Sequence, residues 1–151
     1  MIRTRTDGFS LIELMIVVGL IAVLGGIAVP QVVAGMRVYS LISASQEVVS
    51  TIRAARAQAV GRNITLRVRF NFPAAGQYQI WDPIAGAAIG GVKFLPNGAA
   101  FAGVSDTVVI NTSGRVTGLA GPAPVTIVVT NGDATQDRTI TVSASGRVQL
   151  P

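Results

Sequence analysis

From Phe9 to Val29 only Ser10 and Glu13 interrupt a continuous apolar run, which follows a short charged leader, Met1–Gly8. As a helix, residues 9–29 rise about 31 Å, enough to cross the hydrocarbon core of a bilayer. Past Pro30 the pattern becomes amphipathic. Val38, Leu41, Ile42, Ser45, Val48, Val49, Ile52, Ala55 and Ala59 recur at three- and four-residue steps, with Arg37, Ser43, Gln46, Glu47, Ser50 and Arg53 mostly elsewhere. Together these runs predict one helix from Phe9 to Val60, about 78 Å long. Gly61 is the expected residue just past its end. Pro30 removes a hydrogen bond to the Gly26 carbonyl, so a kink or a soft segment is expected there. Ala22 and Gly26 form a small-xxx-small pair that lets neighbouring helices approach.

The remainder reads as short strands. Thr65–Phe72 alternates, which places Leu66, Val68, Phe70 and Phe72 toward a core and Arg67 and Arg69 outward. Pro73-Ala74-Ala75-Gly76 turns the chain into a hairpin with Gln77–Trp81. The Gly- and Ala-rich stretch Ala85–Gly91 reads as a mobile loop before a strand at Val92–Leu95. Further strands are expected at Thr107–Asn111, Val125–Thr130, Arg138–Ser143 and Arg147–Leu150. Asn131-Gly132 and Ser145-Gly146 supply turns between the last three.

A carboxylate inside an apolar span costs roughly 2.5–3.5 kcal/mol at the bilayer centre and less near its edge. A plain anchor has no use for Glu13, which therefore calls for a positive partner. The run Gly8-Phe9-Ser10-Leu11-Ile12-Glu13 resembles the class III signal of type IV pilins and type II secretion pseudopilins. The resemblance implies cleavage between Gly8 and Phe9 by a prepilin peptidase and methylation of the new amine on Phe9. It also implies an assembly ion pair between Glu13 and the ammonium of a neighbouring subunit. A Sec signal peptide is the competing reading, with Arg3 and Arg5 as its basic region and Gly26-Ile27-Ala28 or Val32-Val33-Ala34 as cleavage sites. Glu13 argues against it, because a signal peptide's apolar core gains nothing from a carboxylate.

The C-terminal half carries a second resemblance. Phe94-Leu95-Pro96-Asn97-Gly98, Asn111-Thr112-Ser113-Gly114-Arg115-Val116, Arg138–Ser143 and Ser145-Gly146-Arg147-Val148 are similar, in the same order, to motifs of the GspH/FimT branch of minor pilins. As local chemistry alone, Gly114 and Gly146 read as turn positions with positive φ.

Composition narrows the chemistry. The 151 residues include no cysteine and no histidine, which removes disulfides, Ser-His-Asp triads and His-based zinc sites. Asp82, Asp106, Asp133 and Asp137 fall on expected turns, and two carboxylates at Asp133 and Asp137 make a poor calcium cage. No enzyme, metal or cofactor is expected. The chain carries a net charge of +5. Loss of Met1–Gly8 removes Arg3, Arg5 and Asp7 and leaves a side-chain balance of +4, nearly all of its cations arginine. Arginine suits phosphate, and the resemblance to FimT-type competence pilins points to a C-terminal G-R-x-R segment as a DNA contact. Here that segment is Gly146-Arg147-Val148-Gln149, with Gln149 in place of the second arginine. Arg147 and then Arg115 are the nucleic-acid candidates, while Phe70 and Phe72 are expected on the face opposite the strand arginines and unable to stack on bases.

The expectation is therefore an α+β protein of pilin-like lollipop shape, a long helix packed on an antiparallel β-sheet. Residues 1–8 are the cleaved leader, 9–29 the transmembrane half of the helix, 30–61 its amphipathic half and 62–151 the β-rich part. The resemblance implies a minor pilin or pseudopilin assembling into a type II secretion pseudopilus or a type IV pilus tip. DNA uptake is the alternative. The implied partners are other pilins, the prepilin peptidase, an inner-membrane assembly platform and inner-membrane lipid. The implied location is the bacterial inner membrane, single-pass, with the globular part periplasmic or outside, and then the filament.

Overall fold

The computed structural model describes residues 9–96, 98–102, 107–118, 121–133 and 135–150. The chain divides into two compact units, Met1–Met36 and Arg37–Pro151. Helix α1, Leu11–Arg62, runs through Pro30 without a break in its span. In the first unit its opening turn forms as the Ser10 carbonyl accepts the Leu14 N–H (3.2 Å). Every Phe, Leu, Ile, Val and Met from Phe9 to Met36 is exposed. The helix contains an 18-residue window of mean hydropathy 2.6 with none of it buried, long and apolar enough to cross a membrane.

In the second unit, α1 buries Leu41, Ala44, Ser45, Val48, Val49, Thr51, Ile52, Ala55 and Ala59. This is the expected face, except that Val38 and Ile42 are only half-buried and Ala44 and Thr51 take their place. The helix does not stop at Gly61. Gly61 and Arg62 are helical, and Asn63 adopts the left-handed conformation (φ 53°). The Asn63 N–H donates to Val60 and the Ile64 N–H to Ala59, the two bonds of a Schellman end. Asn is among the few residues besides Gly that enter the left-handed region, so the helix ends at Asn63 rather than at Gly61.

Nine strands follow, in two antiparallel sheets. The first has the order β3-β2-β1-β5-β6, from β1 (Leu66–Phe70), β2 (Gln77–Asp82), β3 (Ala87–Phe94), β5 (Val108–Ile110) and β6 (Val116–Gly118). The second has the order β4-β7-β8-β9, from β4 (Ala100–Ala102), β7 (Val125–Thr130), β8 (Arg138–Val142) and β9 (Val148–Gln149). The hairpin of β1 with β2 and the strands β5, β7, β8 and β9 match the sequence pattern; β4 and β6 were not anticipated by it.

Two further expectations are corrected. Ala85–Gly91 is not a loop throughout, because β3 begins at Ala87, paired with Asp82, and runs to Phe94, paired with Gln77. Its register shifts between Tyr78 and Ile80, where Gly90 and Gly91, both at positive φ, absorb the extra residues of a bulge. Phe72 does not join Phe70 in the core. Asn71 takes φ 50° and ends the alternation, so Phe72 is half-buried with the Arg69 guanidinium 3.4 Å from its ring centroid and Trp81 beyond. The outer face of β1 therefore carries aromatic rings after all, already covered by arginine.

The core joins helix and sheets. Leu66, Val68 and Phe70 of β1, Tyr78 and Ile80 of β2, and Ile127, Val129, Ile140 and Val142 of β7 and β8 are buried with the helix face. Phe101 of β4 lies 5.2 Å from Phe70 and edge-on to Tyr78 at 5.8 Å, so one aromatic from the second sheet ties into two from the first. The Val116 N–H donates to the Ala144 carbonyl (3.0 Å) and adds a backbone link between the sheets. Beneath them the Tyr78 hydroxyl donates to Glu47 Oε1 (2.8 Å), and Lys93 Nζ donates to Thr51 Oγ1 (3.0 Å). Burial, then the hydrogen bond and charge of Glu47, hold the Tyr78 phenol well above its ordinary pKa, so it stays protonated as a donor.

Candidate functional site

The residues singled out by sequence occupy two regions, one in each unit. Phe9 lies just before α1 and is 81% exposed; Gly8 lies outside the described residues. Glu13 sits in the first turn of α1, where the unpaired N–H groups of the helix end favour a negative charge. Among the described residues Glu13 has no hydrogen-bond or ion-pair partner. A carboxylate in an apolar, exposed helix end can receive a cation from outside the chain.

The second region is a cleft of about 760 Å³ lined by Arg53, Arg56, Ala57, Val60, Gly61, Gly146, Arg147 and Val148. Arg53 and Arg56 are three residues apart and so share one side of α1. Arg147 is carried by the turn between β8 and β9, held as the Ser143 and Arg147 backbones exchange a bond (Ser143 N–H to Arg147 O, 3.0 Å). The structure thus brings Arg147 beside the helix arginines. Arg115 is exposed on the turn between β5 and β6 and does not line this cleft. No described carboxylate lines it either.

The two Ser-Gly-Arg-Val turns have a shared task that spacing did not reveal. Gly114 (φ 75°) and Gly146 (φ 78°) are both buried against the Arg56 side chain. The Arg56 Nε–H donates to the Gly114 carbonyl (3.0 Å). A Cβ on Gly146 would stand 2.5 Å from Arg56 Nε and 2.6 Å from the Gly114 carbonyl oxygen. Positive φ accounts for part of the glycine requirement; the missing side chain that admits Arg56 accounts for the rest. Gly132→Ala, at φ 89° with open space around it, is expected to cost about 1 kcal/mol. Gly146→Ala is expected to cost about 3 kcal/mol, because the backbone oxygen cannot yield as a side chain can. Denaturant unfolding followed by Trp81 fluorescence checks the pair, and equal costs would mean that the contact is slack.

Asp82 and Asp133 serve local structure. Asp82 Oδ1 accepts the Ile84 and Ala85 N–H groups, and Asp133 Oδ1 accepts both the hydroxyl and the N–H of Thr135, which hold its carboxyl below the ordinary range. Asp106 lies outside the described residues. Among the described residues no three His, Cys, Asp or Glu side chains gather to hold a metal.

Comparison with known proteins bears on the fold and on the N-terminal segment. The fold resembles the type IV minor pilin FimU of Pseudomonas aeruginosa, at 18% identity over 74% of this chain and 87% of that one, TM-score 0.60. It also resembles the minor pseudopilin EpsH from the type 2 secretion system of Vibrio cholerae, at 14% identity over 73% of this chain and 94% of that one, TM-score 0.54. No curated protein sequence matches the chain. Residues 3–29 match the prokaryotic N-terminal methylation motif. Residues 44–146, more than half of the chain, match the type II transport protein GspH, and the chain belongs to that family, as a minor pilin-like protein of the GspH/FimT kind.

Proposed function

We propose that this protein is a minor pilin subunit that leaves the inner membrane through its N-terminal helix and enters a type II secretion pseudopilus or the tip of a type IV pilus. The observation that carries the reading is Glu13, a carboxylate in the first turn of a helix whose apolar residues are exposed as far as Met36, with no partner among the described residues. Residues 1–8 serve as the leader, 9–29 cross the membrane, 30–61 form the amphipathic half of the helix and 62–151 the β-rich part. Pro30 and the glycines before it give the helix a weak turn at which it bends or loosens as subunits pack. A prepilin peptidase cuts between Gly8 and Phe9 and methylates the Phe9 amine, and an inner-membrane platform receives the product.

Intact-mass spectrometry of membrane-extracted protein is expected to show a chain beginning at Phe9 with one added methyl. A terminus after Ala28 or Ala34 overturns the reading. Loss of protein secretion on deletion assigns the subunit to a pseudopilus, and loss of pilus function assigns it to a pilus. DNA uptake is the second reading. The gathering of Arg147 with Arg53 and Arg56 favours it; Gln149 in place of a second arginine, the absence of aromatics from the cleft lining and the position of Arg115 outside it count against it.

A further inference from the structure

We infer that the cleft of Arg53, Arg56 and Arg147 receives a carboxylate-bearing, partly apolar peptide segment of another pilin subunit, a partner assignment that rests on the pilin reading above. The cleft pairs charge with apolar surface: Arg53, Arg56 and Arg147 line it together with Ala57, Val60 and Val148. Guanidinium matches a carboxylate with two parallel hydrogen bonds, and an apolar floor beside it suits an aliphatic neighbour of that acid. Arg56 is already fixed. Its Nε–H is committed to the Gly114 carbonyl, and Gly114 and Gly146 enclose its stem, so its terminal nitrogens are presented with little side-chain entropy left to lose.

Among the described residues no carboxylate answers this charge. Glu47 accepts Tyr78 and faces Lys93, Asp82 and Asp133 cap their own loops, and Asp137 keeps Oδ1 buried. The described carboxylates outside the apolar helix end are thus engaged or turned inward, which makes a second copy of this chain a poor occupant. A nucleic acid strand is also a poor match. Strand binding relies on successive phosphates along a groove and on aromatic faces for bases, and this cleft offers three arginines at one place with no ring among its lining residues.

The test is photo-crosslinking in cells that assemble the filament, using the full-length chain with a benzoylphenylalanine at the exposed cleft residue Ala57. A probe at Ile84, which is 80% exposed and does not line the cleft, is the control. The Ala57 probe is expected to capture a segment of another pilin containing Asp or Glu, identified by mass spectrometry of the joined peptides. Arg53→Gln with Arg147→Gln is expected to lower that yield at least ten-fold and leave the Ile84 products unchanged. Replacing the captured acid by Lys abolishes the product, and pairing that change with Arg147→Glu restores it. Capture of a segment without carboxylates, or a yield indifferent to the arginines, overturns the proposal. So does submicromolar binding of a 20-nucleotide single strand by the purified full-length protein at physiological salt that is lost in Arg147→Gln, which makes nucleic acid the occupant. Failure of the cleft and failure of the pilin reading are separable, since methylated Phe9 at the mature terminus survives the first and is missing in the second.

Discussion

Ile52→Asp is expected to unfold the Arg37–Pro151 unit. Ile52 is 1% exposed, in the middle of the helix face that contacts the sheets. Removing its side chain forfeits about 1.5–3 kcal/mol of burial. Placing a carboxyl there without a partner costs several kcal/mol more, whether the group remains charged or takes up a proton to avoid it. The sum is comparable with the whole stability of a domain of this size, about 5–15 kcal/mol. Near-ultraviolet circular dichroism of the full-length protein in detergent reports on Tyr78 and Trp81, and that signal is expected to vanish. Gln46→Asp, on the exposed side of the same helix, is expected to leave it within experimental error. An unchanged signal in the Ile52 variant would mean that the helix does not depend on this face.

Glu13→Val is expected to leave membrane insertion intact, or improve it, and to abolish entry into the filament. Insertion improves because the carboxylate is a net cost in an apolar span, up to roughly 2.5–3.5 kcal/mol at the centre and less at an end. In the proposed function assembly fails, because that cost is recovered only when a neighbour's terminal ammonium meets the carboxylate, an arrangement that would remove two unpaired charges from lipid together and penalise every other axial register. Co-purification with other pilins is expected to fall at least ten-fold. Glu13→Gln is expected to fail similarly, since an amide of the same size keeps the shape and loses the charge. Wild-type incorporation of either variant would remove Glu13 from the assembly mechanism.

Much of this architecture is legible from local pattern. The alternation of β1 and the three- and four-residue steps of α1 report directly which side chains turn inward, because each element has one buried face. Pattern fails where a neighbour decides. Ala87–Gly91 has almost no β-branched residues, and it is a strand because β2 offers a ladder to pair with and two glycines accommodate the bulge. Asn71 ends β1 with a single positive φ, which moves Phe72 from the core to Arg69. The cleft shows the same division. Helical spacing puts Arg53 and Arg56 on one side of α1, and Ser145-Gly146 marks the turn that carries Arg147. That these meet depends on an Arg56–Gly114 contact spanning 58 positions, which no local pattern contains.

The Arg56 contact also bears on how a helix can move against a sheet. An interface of Leu, Val, Ile and Ala alone resists rotation only through close packing and is indifferent to the direction of any single bond. A single guanidinium seated between two buried glycines and bonded to one carbonyl is not indifferent. It acts as a latch on the azimuth of α1, and turning the helix by one residue would carry Arg56 about 100° out of its seat. Under a twisting load this end of the helix would hold its orientation until the latch opened.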